Sequence, residues 1–93
     1  MLTKPTTHRG KSYRALVSSC EDSSDYDITI QVGDDGAWKT TVVGMWGAGG
    51  LELSEYSPTG GRVTLDVDLI EQLHEDVEEA VEKLRDAAND EED

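Results

Sequence analysis

Ninety-three residues leave room for one domain with a small core. The chain carries 21 acids against eight Lys and Arg, a net charge of −13, with 35% apolar residues, no Phe and a single cysteine, Cys20. That composition excludes an internal disulfide and argues against binding of nucleic acid or an anionic membrane, both of which an acidic surface repels. No stretch approaches 18 apolar residues and no signal peptide is evident, so the expected setting is soluble and cytoplasmic, a reducing compartment that suits one free thiol.

The charge is uneven. Lys4, Arg9, Lys11 and Arg14 fall in the first 14 residues, which hold no acid, and the remainder carries a balance of −17. Met1 to Gly10 (MLTKPTTHRG) shows no periodicity and reads as a flexible basic arm over 1–10, free or folded against the acidic body. A single domain is expected over 11–89 and an acidic tail over 90–93.

Within the domain, Lys11 to Ser19 reads as a first strand, with Tyr13, Ala15 and Val17 on one side and Leu16 on the other. Cys20 to Asp25 is a polar turn. Tyr26 to Val32 alternates most clearly: Tyr26, Ile28, Ile30 and Val32 one way, Asp27, Thr29 and Gln31 the other. Gly33-Asp34-Asp35-Gly36 has the chemistry of a hairpin turn, and lacks the spaced oxygen ligands and flanking helices of a calcium loop. Ala37 to Trp46 is a third strand. Its pattern places Trp38, Thr40, Val42 and Trp46 on one face, and Val43 and Met45 with Lys39 and Thr41 on the other. Both faces are apolar at the far end, so the second face needs a cover: the arm, a loop or another chain.

The glycines that follow (GMWGAGG) precede another strand and lack the lysine and hydroxyl of a phosphate loop, so they read as bulge and turn positions. Leu51 to Tyr56 is a fourth strand, Ser57 to Gly61 a turn, and Arg62 to Val67 a fifth strand with Val63, Leu65 and Val67 inward.

Asp66 to Ala88 (DVDLIEQLHEDVEEAVEKLRDAA) is a helix, with Asp66 or Asp68 at its N-cap and Asn89 at its stop. Ile70, Leu73, Val77, Ala80, Val81, Leu84, Ala87 and Ala88 form a stripe with a 3.6-residue period, extended at its start by Val67 and Leu69. Glu71, Glu75, Glu78, Glu79, Glu82 and Asp86 line the opposite face, with Asp76 beside them. Glu79 and Lys83 form a favourable i,i+4 pair, but Glu71/Glu75, Glu75/Glu79, Glu78/Glu82 and Glu82/Asp86 repel. Negative charge also gathers at the C-terminal end, where the helix dipole is already negative. Such a helix must be held by packing. The expected fold is α+β: a small antiparallel β-meander of four to five strands with one C-terminal amphipathic helix across one face.

The run Val63-Thr64-Leu65-Asp66-Val67-Asp68-Leu69-Ile70-Glu71-Gln72-Leu73 resembles the close of many small proteins from phages and GC-rich actinobacteria, which end in a strand, then Leu-Thr-x-Glu-x-Ala-x-x-Leu, then an acidic helix. Asp66 stands where Thr would be, Asp68 where Glu would be and Ile70 where Ala would be. The resemblance covers about a third of the chain and implies a mobile-element origin; it transfers no activity and no functional residue.

No Ser/His/Asp or Cys/His arrangement is present, and His8, His74 and Cys20 are too scattered for a zinc site, so no enzyme, metal or cofactor is expected. The first functional reading is a binding protein whose helix face (Glu71, Glu75, Glu78, Glu79, Glu82 and Asp86) competes with nucleic acid for a basic surface on a protein partner; small acidic phage proteins that block host defence nucleases resemble it in outline. The second is an assembly protein, a homodimer or a complex subunit, acting through Trp38, Met45, Trp46 and Leu51. A third reading needs no partner, only adaptation to high salt.

Overall fold

The computed structural model of the chain describes residues 1–20, 25–34 and 36–91. Most of the polar turn expected over Cys20–Asp25, Asp35 of the expected hairpin turn and the last two residues of the acidic tail lie outside the described residues. The fold is α+β. Five antiparallel strands, β1 (Thr6–His8), β2 (Lys11–Ser19), β3 (Tyr26–Asp34), β4 (Ala37–Gly47) and β5 (Gly50–Leu53), lie side by side in chain order, and α1 (Val67–Glu91) crosses one face.

Residue alternation sorts the sheet into two faces. On the inner face, cross-strand partners form the rows Ala15–Ile30–Val42, Val17–Ile28–Gly44–Leu53 and Ser19–Tyr26–Trp46–Leu51. Ala15, Val17, Ile28, Ile30 and Val42 are almost wholly buried there, and they share one core with Leu69, Leu73, Val77, Ala80 and Val81 of the helix. The helix runs past Asn89, its expected stop, to Glu91, and its stripe is buried as expected at Leu73, Val77, Ala80 and Val81 while Ala87 is exposed. Leu69 rather than Ile70 leads the stripe, and Val67 faces solvent at 69% exposure.

Two segments exchange roles relative to the sequence reading. The strand expected over Arg62–Val67 does not form: Arg62 makes one isolated bridge with Tyr56, Val63 donates to the Glu55 carbonyl at 2.8 Å, and regular pairing stops there. The Ser57–Gly61 turn closes on itself through Ser57 N–H to the Gly61 carbonyl (3.0 Å) and leaves with φ of 97° and 84° at Gly60 and Gly61. The alternation of Val63 and Leu65 instead serves packing, with Leu65 against the core.

The fifth strand comes from the other end. In the segment read as a flexible arm, Thr6–His8 pairs with Lys11–Tyr13, Leu2 bridges Leu16, and Thr3 N–H reaches the Ala15 carbonyl at 2.9 Å. The β1–β2 connection is the two-residue turn Arg9–Gly10, with φ of 51° and 79°, the mirror-image geometry that matches strand twist. Arg9 holds this conformation without glycine's freedom, and its guanidinium is tied down: Arg9 Nε lies 3.0 Å from Asp66 Oδ2.

A bulge in β4 has the largest effect on the surface. Ile30 pairs with Val42 but Gln31 pairs with Thr40, so Thr41 is the extra residue and the alternation flips across it. Trp38 and Thr40 therefore lie on the outer face while Val42 and Trp46 lie on the inner one, where an unbroken strand would have placed all four together.

Candidate functional site

The 3.6-residue period that buries Leu69, Leu73, Val77 and Ala80 turns the acids to the opposite side of α1. Glu71, Glu75, Glu78, Glu79, Glu82 and Asp86 are all exposed, and together they form one convex ridge pointing away from the sheet. From Glu71 to Asp86 the ridge runs about 22 Å at 1.5 Å per residue, or roughly one carboxylate every 4.5 Å. Lys83 Nζ answers Glu79 at 3.3 Å, and His74 Nδ1 stands 4.0 Å from Glu78. Arg85 turns away from the ridge, its guanidinium carbon 5.8 Å from the centre of the Tyr26 ring. The last turn holds no basic residue.

Asp76 sits at the margin and is half-buried. Burial raises its pKa above the ordinary aspartate value; a hydrogen bond from Gln72 Nε2 (3.3 Å) opposes the rise, and the neighbouring Glu79 and Glu75 add to it. Asp66, by contrast, belongs to a tether. The hydrogen bond with His8 Nε2 (2.8 Å) is the largest influence lowering its pKa; desolvation opposes it, and the charges of Arg9 and His8 reinforce it. The backbone of Asp66 starts the helix as expected, with Ile70 N–H on its carbonyl at 3.0 Å, but its carboxylate clasps the β1–β2 turn.

The second expected set does not form one surface. Trp46 is 9% exposed and meets the His74 ring at a tilt of 55° with centroids 4.9 Å apart, and Leu51 packs against the core beside it. Trp38 lies across the sheet under Arg14, whose guanidinium carbon is 4.2 Å from the ring centre, and Met45 is 45% exposed on that same outer face. The bulge at Thr41 accounts for the separation of the two tryptophans.

Sequence reading missed what surrounds Met45. Leu16, Thr29 and Val43 form a row across three strands of the outer face, extended by the isolated bridge of Leu2 to Leu16, and Met45 lies in the next row between Asp27 and Glu52. A groove of about 650 Å³ opens there, lined by Asp27, Thr29, Val43, Met45 and Glu52 among others. The signal available in sequence was Leu16, an apolar residue on the polar side of its strand. Among the described residues no three of His, Cys, Asp and Glu converge to hold a metal ion, and no helix is long and apolar enough to cross a membrane. Comparison with protein-family models, curated proteins and solved structures finds no significant match to this chain.

Proposed function

We propose that the chain is a non-enzymatic acidic binding protein, an inhibitor of phage type, whose α1 ridge competes with nucleic acid for a basic surface on a protein partner. The observation that carries this reading is the complete separation of labour on α1. The residues that hold the helix to the sheet are one set and the carboxylates are another, so the whole ridge can be covered by a partner without disturbing the core. Carboxylates every ~4.5 Å compare with the ~3.4 Å spacing of phosphates along one strand of a duplex, so a groove of Lys and Arg built for phosphates meets a charge density about three-quarters as high. The surplus of −13 steers a basic partner toward the chain. We read the compartment as the cytoplasm, on the single cysteine.

The test replaces Glu75, Glu79 and Glu82 by Gln and measures capture of basic nucleic-acid-binding proteins at about 0.1 M and about 0.5 M salt. The parent chain is expected to capture its partner at the lower salt and release it at the higher. The triple variant is expected to fold and capture nothing. Equal capture by parent and variant refutes the reading.

A further inference from the structure

We propose that the outer face of the sheet, the face α1 leaves uncovered, is a self-complementary surface that pairs with a second copy of this chain. It rests on the sheet alone and is independent of the role given to the helix ridge.

The register arranges this face in order along the strands. At one end Arg14 lies over Trp38 at 4.2 Å and donates through Nε to Gln31 at 2.8 Å, which fixes a cation on the surface. In the middle runs the row Leu2–Leu16–Thr29–Val43, with Leu2 51% and Val43 39% exposed. At the other end Met45 lies between the carboxylates of Asp27 and Glu52. A two-fold axis along the middle row superposes the cationic end of one copy on the anionic end of the other and buries the apolar row against itself. That is the pattern an isologous contact requires.

Charge also selects the occupant. The rows of this face carry Arg14, Asp27 and Glu52, and the Asp25 carboxylate lies against Gly47 at their acidic end, a balance of −2 in a chain of −13. Pairing through it leaves the two acidic helices on opposite outer sides, roughly 30 Å apart at ~10 Å per layer, beyond several Debye lengths at physiological salt. An isologous contact through α1 would oppose like charges directly. The footprint is small. Four chain segments at ~4.8 Å and three rows at ~7 Å span roughly 400 Å² in projection, about half of what each partner buries in a standard interface, so the dimer is expected to be weak and micromolar. Such a dimer displays two acidic ridges back to back.

Sedimentation equilibrium from about 10 to 500 µM reads the association directly, across the range set by a small interface. The parent chain is expected to shift from monomer toward dimer. Met45→Lys, at an exposed position flanked by two acids and so compatible with folding, is expected to weaken dimerisation at least tenfold. Arg14→Glu, and separately Asp27→Lys with Glu52→Lys, should each fail to self-associate, while an equimolar mixture of the two regains the dimer. The triple Gln variant of the helix should dimerise as the parent does, so failure of the ridge reading and failure of this one are told apart. A parent chain that stays monomeric at 500 µM overturns the proposal, as does dimerisation that survives Met45→Lys or is lost with the helix variant. Monomeric parent chain with Met45-dependent capture of another protein would assign the face to that partner instead.

Discussion

The attachment of α1 to the sheet can be tested at Leu73. This side chain is wholly buried at the centre of the helical stripe, in the cluster that includes Val17, Ile28 and Ile30. Truncation to Ala removes three carbons from a site walled by sheet and helix, and comparable Leu→Ala changes cost about 2.7–5 kcal/mol. A chain of 93 residues has roughly 5–14 kcal/mol in total. The helix has little stability of its own to fall back on, because its i,i+4 neighbours repel and its C-terminal turn is acidic. The inner sheet face would in turn lose its cover. Leu73→Ala should therefore lower Tm by at least about 10 °C, with helix ellipticity and tryptophan fluorescence melting together. Val67→Ala, at the exposed first position of the helix, should leave Tm within about 2 °C, as a surface substitution does. A Leu73→Ala shift below about 3 °C, or helix loss well before the fluorescence transition, would refute the argument that packing rather than propensity holds α1.

Three further outcomes are expected. Gly44→Ala should destabilise by about 1–3 kcal/mol in urea unfolding, because a Cβ there would meet the Glu52 carbonyl of the adjacent strand and Leu53 Cδ2 at 2.8 Å, forcing β5 away from β4. Asp76→Asn should raise Tm at pH 7: burial raises the folded-state pKa of Asp76, so ionisation costs stability above that raised value, and the advantage of Asn should vanish as pH falls below the ordinary aspartate range. Asp66→Asn should do the reverse. The lowered pKa of Asp66 means its tether to His8 and Arg9 contributes above the ordinary aspartate range and is lost as pH falls through the lowered value, so parent and variant should differ at neutral pH and converge in strong acid; thermal melts across pH check both.

Much of the fold was legible where the signal is local. The alternation of Tyr26, Ile28 and Ile30 needed no partner to be read, and that strand forms as expected; the helical stripe, expected to run on to Ala88, is buried through Val81, and the helix continues past the expected stop at Asn89 to Glu91. The exposure of the six acids follows from the same stripe. Thr6–His8 was not legible, because three residues of Thr, Thr and His become a strand only when β2 supplies the ladder and Asp66 pins the turn. Val63 and Leu65 misled for the converse reason: they alternate like a strand, but the chain leaving Gly60–Gly61 makes one bridge and then turns into the helix.

What the sequence determined by itself is thus the class of fold and the two-sided character of α1, since side-chain period is a property of backbone geometry within one element. What the tertiary structure decided is which residues share the sheet's outer face. One unpaired residue, Thr41, moves Trp38 away from Trp46, and the pairing of Leu2 with Leu16 completes an apolar row from residues far apart in the chain. Register is set by hydrogen bonds between strands, and a slip of one residue reverses every side chain beyond it, so no reading confined to single strands contains that information.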